Sequence, residues 1–204
     1  MPVGVPFEGG FVSIFNGTDR TGWVYGRAGD GENKSGKGYQ VKDGVLFCTV
    51  EDGGNLFTDK EYGDFTLRFE FRLTPNANNG IGIRAPLEGD AAYVGMEIQV
   101  LDDGGSDYQQ LRPVQYHGSI YDVVAAKRGA LRPVGDWNEE EISAQGHHIK
   151  VVLNGVTIVD ADLAQITDPK ILEKHPGLAR SSGHIGFLGH GARVEFRNLR
   201  IREP

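Results

Sequence analysis

Apolar and polar residues alternate one by one through most of the chain, the period of a half-buried strand rather than a helix. The longest such run is 64–73, where Phe65, Leu67, Phe69, Phe71 and Leu73 alternate with Thr66, Arg68, Glu70 and Arg72. NNGIGIR (78–84) places Ile81 and Ile83 on one face and Gly82 and Arg84 on the other. YVGMEIQVLDD (93–103) places Met96, Ile98 and Val100 on one face and Glu97 and Gln99 on the other. If these two strands pair, Arg84, Glu97 and Gln99 share one polar floor. Further strands are expected at 12–15, 44–50, 118–124, 148–155, 155–161, 183–190 and 192–201. Asp43-Gly44 and Asn154-Gly155 are hairpin turn signals. In the last strand, Leu199 and Ile201 are out of phase with Val194 and Phe196, which predicts a bulge near Arg197-Asn198.

Helix is confined to 168–175, with Asp168 as N-cap, Pro169 in the first turn and Pro176 as stop. Two polar, glycine-rich stretches, 26–38 and 102–113, are expected as long loops. No internal repeat or linker interrupts the pattern. The expectation is one all-β domain over 1–204, two antiparallel sheets packed as a jelly-roll sandwich with very little helix.

Composition narrows the partners. The 30 glycines are about twice what a usual frequency of roughly 7% gives, consistent with many tight turns. A net charge of −7 without a Lys/Arg block argues against nucleic acid. There is no apolar run near the roughly 18 residues of a membrane span, and MPVGVPFEGG lacks the features of a signal peptide. Cys48, the single cysteine, lies in the apolar run VLFCTV and is expected to be a buried, inert thiol. The oligomeric state is not encoded in these features.

The ordered motifs FVSIFNGTDRTGW (11–23), DGVLFC (43–48), LFTDKEYGDFTLRFEFRL (56–73), NNGIGIR (78–84), MEIQVLD (96–102), GSIYD (118–122), GDWNE (135–139), LNG (153–155) and GHIGFLGHGARVEFRNLRI (183–201) resemble the bacterial 3-keto-disaccharide hydrolase family. The resemblance implies a concanavalin A-like sandwich with a concave sugar-facing sheet. It also implies export to the periplasm or beyond, and hydrolysis of glycosides oxidised to a ketone at C3. Asn79 stands where the family's N-S-G motif has serine, a departure that bears on which substrate fits.

The Glu97, Gln99, Asp102 spacing invites comparison with the E-x-D-x-x-E strand of β-glucanases, in which two carboxylates flank the bond. Gln99 cannot exchange a proton, and Glu97 and Asp102 fall on opposite faces of a regular strand. A 3-keto sugar needs less: its ketone acidifies the C2 hydrogen, so one base, an enolate stabiliser and an acid suffice. Glu97 is the candidate base, Arg84 or a metal the candidate stabiliser, and His190 the candidate acid, having the parity of a groove residue in GHIGFLGH. Gln99, Asn79, Asp102, Tyr121 and Trp137 are candidate sugar ligands. Plainer roles stand beside these: cross-strand ion pairs for Glu97 and Arg84, a turn for His190, core packing for Tyr121 and Trp137. His117 with Asp122, or Asp102, Asp103 and Asp107, is a candidate set for a divalent ion such as calcium, and equally ordinary turn chemistry. The expected partner is an oxidised glycoside; the alternative is a non-catalytic carbohydrate-binding module on the same fold.

Overall fold

The computed structural model describes residues 8–27, 38–51 and 53–204. Most of the expected loop 26–38 lies outside the described residues. Among the described residues the strands are β1 (Val12–Ser13), β2 (Trp23–Tyr25), β3 (Tyr39–Lys42), β4 (Val45–Cys48), β5 (Asn55–Tyr62), β6 (Phe65–Leu73), β7 (Asn78–Ala85), β8 (Met96–Leu101), β9 (Trp137–Gln145), β10 (His148–Leu153), β11 (Val156–Asp162), β12 (Gly183–Gly189) and β13 (Val194–Arg202). They form two antiparallel sheets. The larger runs β11-β10-β9-β6-β13-β4-β3, with β1 also on β13, and the smaller runs β2-β5-β12-β7-β8. The expected two-sheet sandwich with little helix is what is found.

Strand alternation explains the core. Phe69 and Phe71 of β6, Phe196 of β13, Phe187 of β12, Ile81 of β7 and Ile98 of β8 all point between the sheets. Phe187 and Phe196 meet across the interface with ring centroids 4.2 Å apart. Burying a large apolar side chain contributes about 1.5–3 kcal/mol, so this doubly covered layer, not the surface, dominates stability. Both hairpin turns are present with two successive positive φ values: 52° and 78° at Asp43-Gly44, 50° and 82° at Asn154-Gly155. That geometry suits Asn, Asp and Gly and matches the twist of the flanking strands. The β13 bulge is also found: Arg197 pairs with Glu70 but Arg200 with Arg68, and Asn198 takes a φ of 55°.

The predicted helix is α2 (Pro169–Lys174), capped by the Asp168 carboxylate, which accepts the Lys170 N–H. A second, four-residue helix, α1 (Ala91–Val94), sits in the connection between β7 and β8. The strand expected at 118–124 is instead a turn. Gly118 and Asp122 have positive φ, and only isolated bridges join Ile120 to Ile98 and to Val124. Its backbone still lies along β8, with Tyr121 N–H donating to Glu97 O at 2.8 Å and Gln99 N–H to Ser119 O at 3.0 Å.

Candidate functional site

β8 pairs with β7 so that Gly82 faces Glu97 and Gly80 faces Gln99. Because Met96, Ile98 and Val100 enter the core, Glu97 and Gln99 emerge on the outer face of the smaller sheet. Glu97 lies over Gly80, where a Cβ would sit 1.9 Å from Glu97 Oε1. Glycine is therefore required at 80 for the carboxylate to lie flat on its neighbour.

A pocket of about 400 Å³ opens on this face. Its floor is Glu97, Gln99, Asn55 and Asn78, with His190 and Leu188 from the β12 end. Its wall is Asp90 and Tyr93 from the α1 connection and Tyr121 from the 118–124 turn. Such a volume is in the range of small-ligand sites.

The electrostatics centre on Glu97. It is 3% exposed, and its Oε1 has no hydrogen-bond partner. His190 Nε2 stands 3.7 Å from that oxygen, an ion-pair distance too long for a hydrogen bond, on a half-exposed ring. Burial pushes the Glu97 carboxyl above its ordinary value of 4.5, opposed by His190 and reinforced by the charge of Asp90. The Glu97 carboxylate in turn raises His190 above 6.5, against the effect of burial and with help from Asp90. The result is a carboxylate and an imidazole side by side at one pocket, each held toward its protonated form, the arrangement expected of an acid–base pair. Asn78 Oδ1 is likewise buried and unpartnered, an amide atom free for a ligand.

Four expected residues, Glu97, Gln99, His190 and Tyr121, meet in this pocket; four others do not. Arg84 takes a φ of 49°, and β7 carries one extra residue there, Ile83 and Arg84 standing opposite the single Ile185, since Ala85 pairs with His184 but Gly82 with Gly186. The kink turns the side chain away from the floor its parity implied. Its guanidinium donates to Gly63 O, Gly146 O and Arg180 O and pairs with Asp64 at 3.1 Å. Burial lowers its pKa, partly offset by Asp64. Arg84 therefore fastens the end of the sandwich. Asn79 shares the parity of Ile81 and donates to Tyr39 OH at 3.1 Å inside the core. Asp102 accepts the N–H groups of Asn76 and Gly104 in a turn; β8 runs in register through Leu101, so no bulge brings Asp102 to Glu97. Trp137 lies on the larger sheet beneath the guanidiniums of Arg72 and Arg197. Sequence reasoning missed Asn55, Asn78, Asp90 and Tyr93. Asn78 alone carried a signal, the parity of Gly80 and Gly82.

The candidate metal ligands are dispersed. His117 Nδ1 accepts the Leu101 N–H, so Nε2 carries the proton and donates to Glu140 Oε2 at 3.0 Å in the core. Asp103 bonds His117 N–H and Arg128. Burial works against the charge of Asp122, but Lys174 and Arg112 hold its carboxyl below the usual range. Among the described residues, no three metal-ligating side chains converge. Cys48 is buried, and burial pushes its thiol up to about 11, as an inert thiol requires. No helix among the described residues is long and apolar enough to cross a membrane.

The chain is similar to known proteins over nearly its whole length. The 3-keto-disaccharide hydrolase of Bacteroides thetaiotaomicron is 24% identical over 230 residues, covering 95% of this chain and 78% of that protein. A crystal structure of a candidate glycosyl hydrolase from Parabacteroides distasonis superposes with a TM-score of 0.75 at 26% identity, covering 89% of this chain and 99% of the other. A second structure so described, from the same organism, gives 0.79 at 23% identity with both chains fully covered, a likeness of fold. The model of the 3-keto-alpha-glucoside-1,2-lyase-like domain matches residues 10–202. The chain belongs to the 3-keto-alpha-glucoside-1,2-lyase-like domain family.

Proposed function

We propose that this protein cleaves 3-keto-glycosides by elimination and hydration, with Glu97 as base and His190 as acid. The observation that carries the reading is the Glu97 carboxylate: buried, unpartnered at Oε1, and opening into a sugar-sized pocket beside one histidine. Glu97 takes the C2 proton, and the electron pair moves into the C3 carbonyl as an enolate. The enolate collapses to a C1=C2 double bond, expelling the C1 oxygen, which receives its proton from His190. Water then adds across that bond, oxygen to C1 and proton to C2, and the net change is hydrolysis. With Arg84 held elsewhere, stabilising the enolate oxygen would require N–H groups from the floor amides Asn55, Asn78 and Gln99 to turn toward it. Tyr93 and Tyr121 line the wall, where aromatic side chains can contact a sugar. The name of the Bacteroides relative points to the same substrate class.

The test is turnover of a chromogenic 3-keto-glucoside beside its unoxidised parent, with wild type and Glu97→Gln, with and without EDTA. Cleavage of the keto form alone, lost in the variant, is expected. Equal cleavage of the parent would point to a conventional two-carboxylate hydrolase. Binding without cleavage of either would point to a carbohydrate-binding module, and EDTA sensitivity would bring a metal into the mechanism.

A further inference from the structure

The elimination chemistry gives Asp90 no step, yet its side chain lines the same pocket as Glu97 and His190. It precedes α1, where its Oδ1 accepts the Ala92 N–H at 3.1 Å. The lining is electrostatically one-sided. It contains two carboxylates, Asp90 and Glu97, and one side chain able to carry positive charge, His190; no Lys or Arg joins them among the described residues. Three cations of the neighbouring elements are engaged elsewhere. Arg112 and Lys174 pair with Asp122 behind Tyr121 and Tyr93, and Arg84 is held by backbone carbonyls.

We propose that Asp90 is a specificity-determining residue of this pocket: its negative charge beside Glu97 admits keto-glycosides with uncharged ring substituents and turns away those bearing a carboxylate, sulfate or phosphate. This builds on the function proposed above and adds the charge class of the substrate. Asp90 is itself exposed, so its repulsion of an anionic substituent is that of a surface charge, modest and weakened by salt, yet a lining of one sign still biases which ligands enter. The same charge favours the protonated forms of both Glu97 and His190, so Asp90 also carries the working pH range upward. The titratable groups lining the pocket around His190 are Glu97 from β8, Asp90 and Tyr93 from the α1 connection, and Tyr121 from the 118–124 turn.

The test compares wild type with Asp90→Asn on a chromogenic 3-keto-glucoside and the corresponding 3-keto-glucuronide. The His190 imidazole is followed by NMR, assigned with His190→Gln. Asp90→Asn is expected to raise the glucuronide-to-glucoside ratio of kcat/KM by roughly tenfold, the size of one short-range charge interaction, and to move the His190 titration to lower pH. An unchanged ratio would overturn the proposal. Loss of turnover on both substrates to the level of Glu97→Gln would also overturn it, by making Asp90 an acid–base partner. If wild type cleaved neither substrate, the proposed function would fail while Asp90 stayed testable: chemical-shift titrations with methyl glucoside and methyl glucuronide should show Asp90→Asn strengthening binding of the glucuronide alone. Equal effects on both ligands would overturn the charge-selection reading.

Discussion

The two sheets treat a carboxylate in opposite ways. On the outer face of the larger sheet, acidic side chains sit beside guanidiniums: Glu141 with Arg68 at 2.5 Å, Glu195 with Arg72 at 2.5 Å, Glu70 with Arg197 at 2.7 Å and Glu139 with Arg200 at 3.1 Å. On the outer face of the smaller sheet, Glu97 lies over glycine with one oxygen unpartnered and a histidine just beyond hydrogen-bond distance. Both are glutamates on antiparallel strands. The cross-strand neighbour separates them: arginine closes the charge, whereas Gly80 and Gly82 leave it unpaired. A paired surface carboxylate contributes little beyond solubility; a buried, unpaired one costs stability and is available for proton transfer.

The largest expected effect is Glu97→Gln, which should lower turnover of a 3-keto-glycoside by about 10²–10⁴-fold, the usual contribution of a positioned base. Stability should move the other way. The folded pKa of Glu97 lies above its ordinary 4.5, so the stabilising contribution of this group is present below the ordinary value and lost as pH rises through the folded one. Thermal denaturation should therefore show the variant gaining on wild type as pH rises through that interval. Gly80→Ala should be nearly as damaging to activity, since its Cβ would occupy the place of Glu97 Oε1, and overpacking of this kind costs about 1–3 kcal/mol; kinetics and melting together would check it.

The rate should follow a bell-shaped pH profile. The acid limb should lie above 4.5, where Glu97 gives up its proton, and the alkaline limb above 6.5, where His190 loses its own. His190→Gln should remove the alkaline limb. Arg84→Met tests the structural assignment of that residue. Leaving several carbonyls and Asp64 unpaired should cost about 3 kcal/mol, read by chemical denaturation, while kcat of the folded protein stays within a few-fold. At the small end, Arg68→Ala should change stability by less than about 1 kcal/mol and leave kcat alone.

The sequence carried the sandwich because its signals are local. Period-two runs, two hairpin turns and the β13 phase shift each depend on a few adjacent residues. The pairing of β7 with β8 followed from the same parity, which brought Glu97 and Gln99 to one face. Arg84 escaped that logic because one left-handed residue inside a strand reverses parity, and nothing in the letters NNGIGIR marks it. Asn79 was legible and misassigned, since it shares the phase of Ile81. Asp90 and Tyr93 reach the pocket through α1, a four-residue helix too short to show a period. The 118–124 stretch has strand composition, yet the positive φ values at Gly118 and Asp122 fold it into a turn.

The most direct test of the central claim is turnover of a chromogenic 3-keto-glucoside carrying deuterium at C2. Proton abstraction by Glu97 predicts a primary isotope effect on kcat/KM or washout of the label to water, either one abolished along with turnover in Glu97→Gln. Cleavage at an unchanged rate with the deuterium fully retained would contradict it.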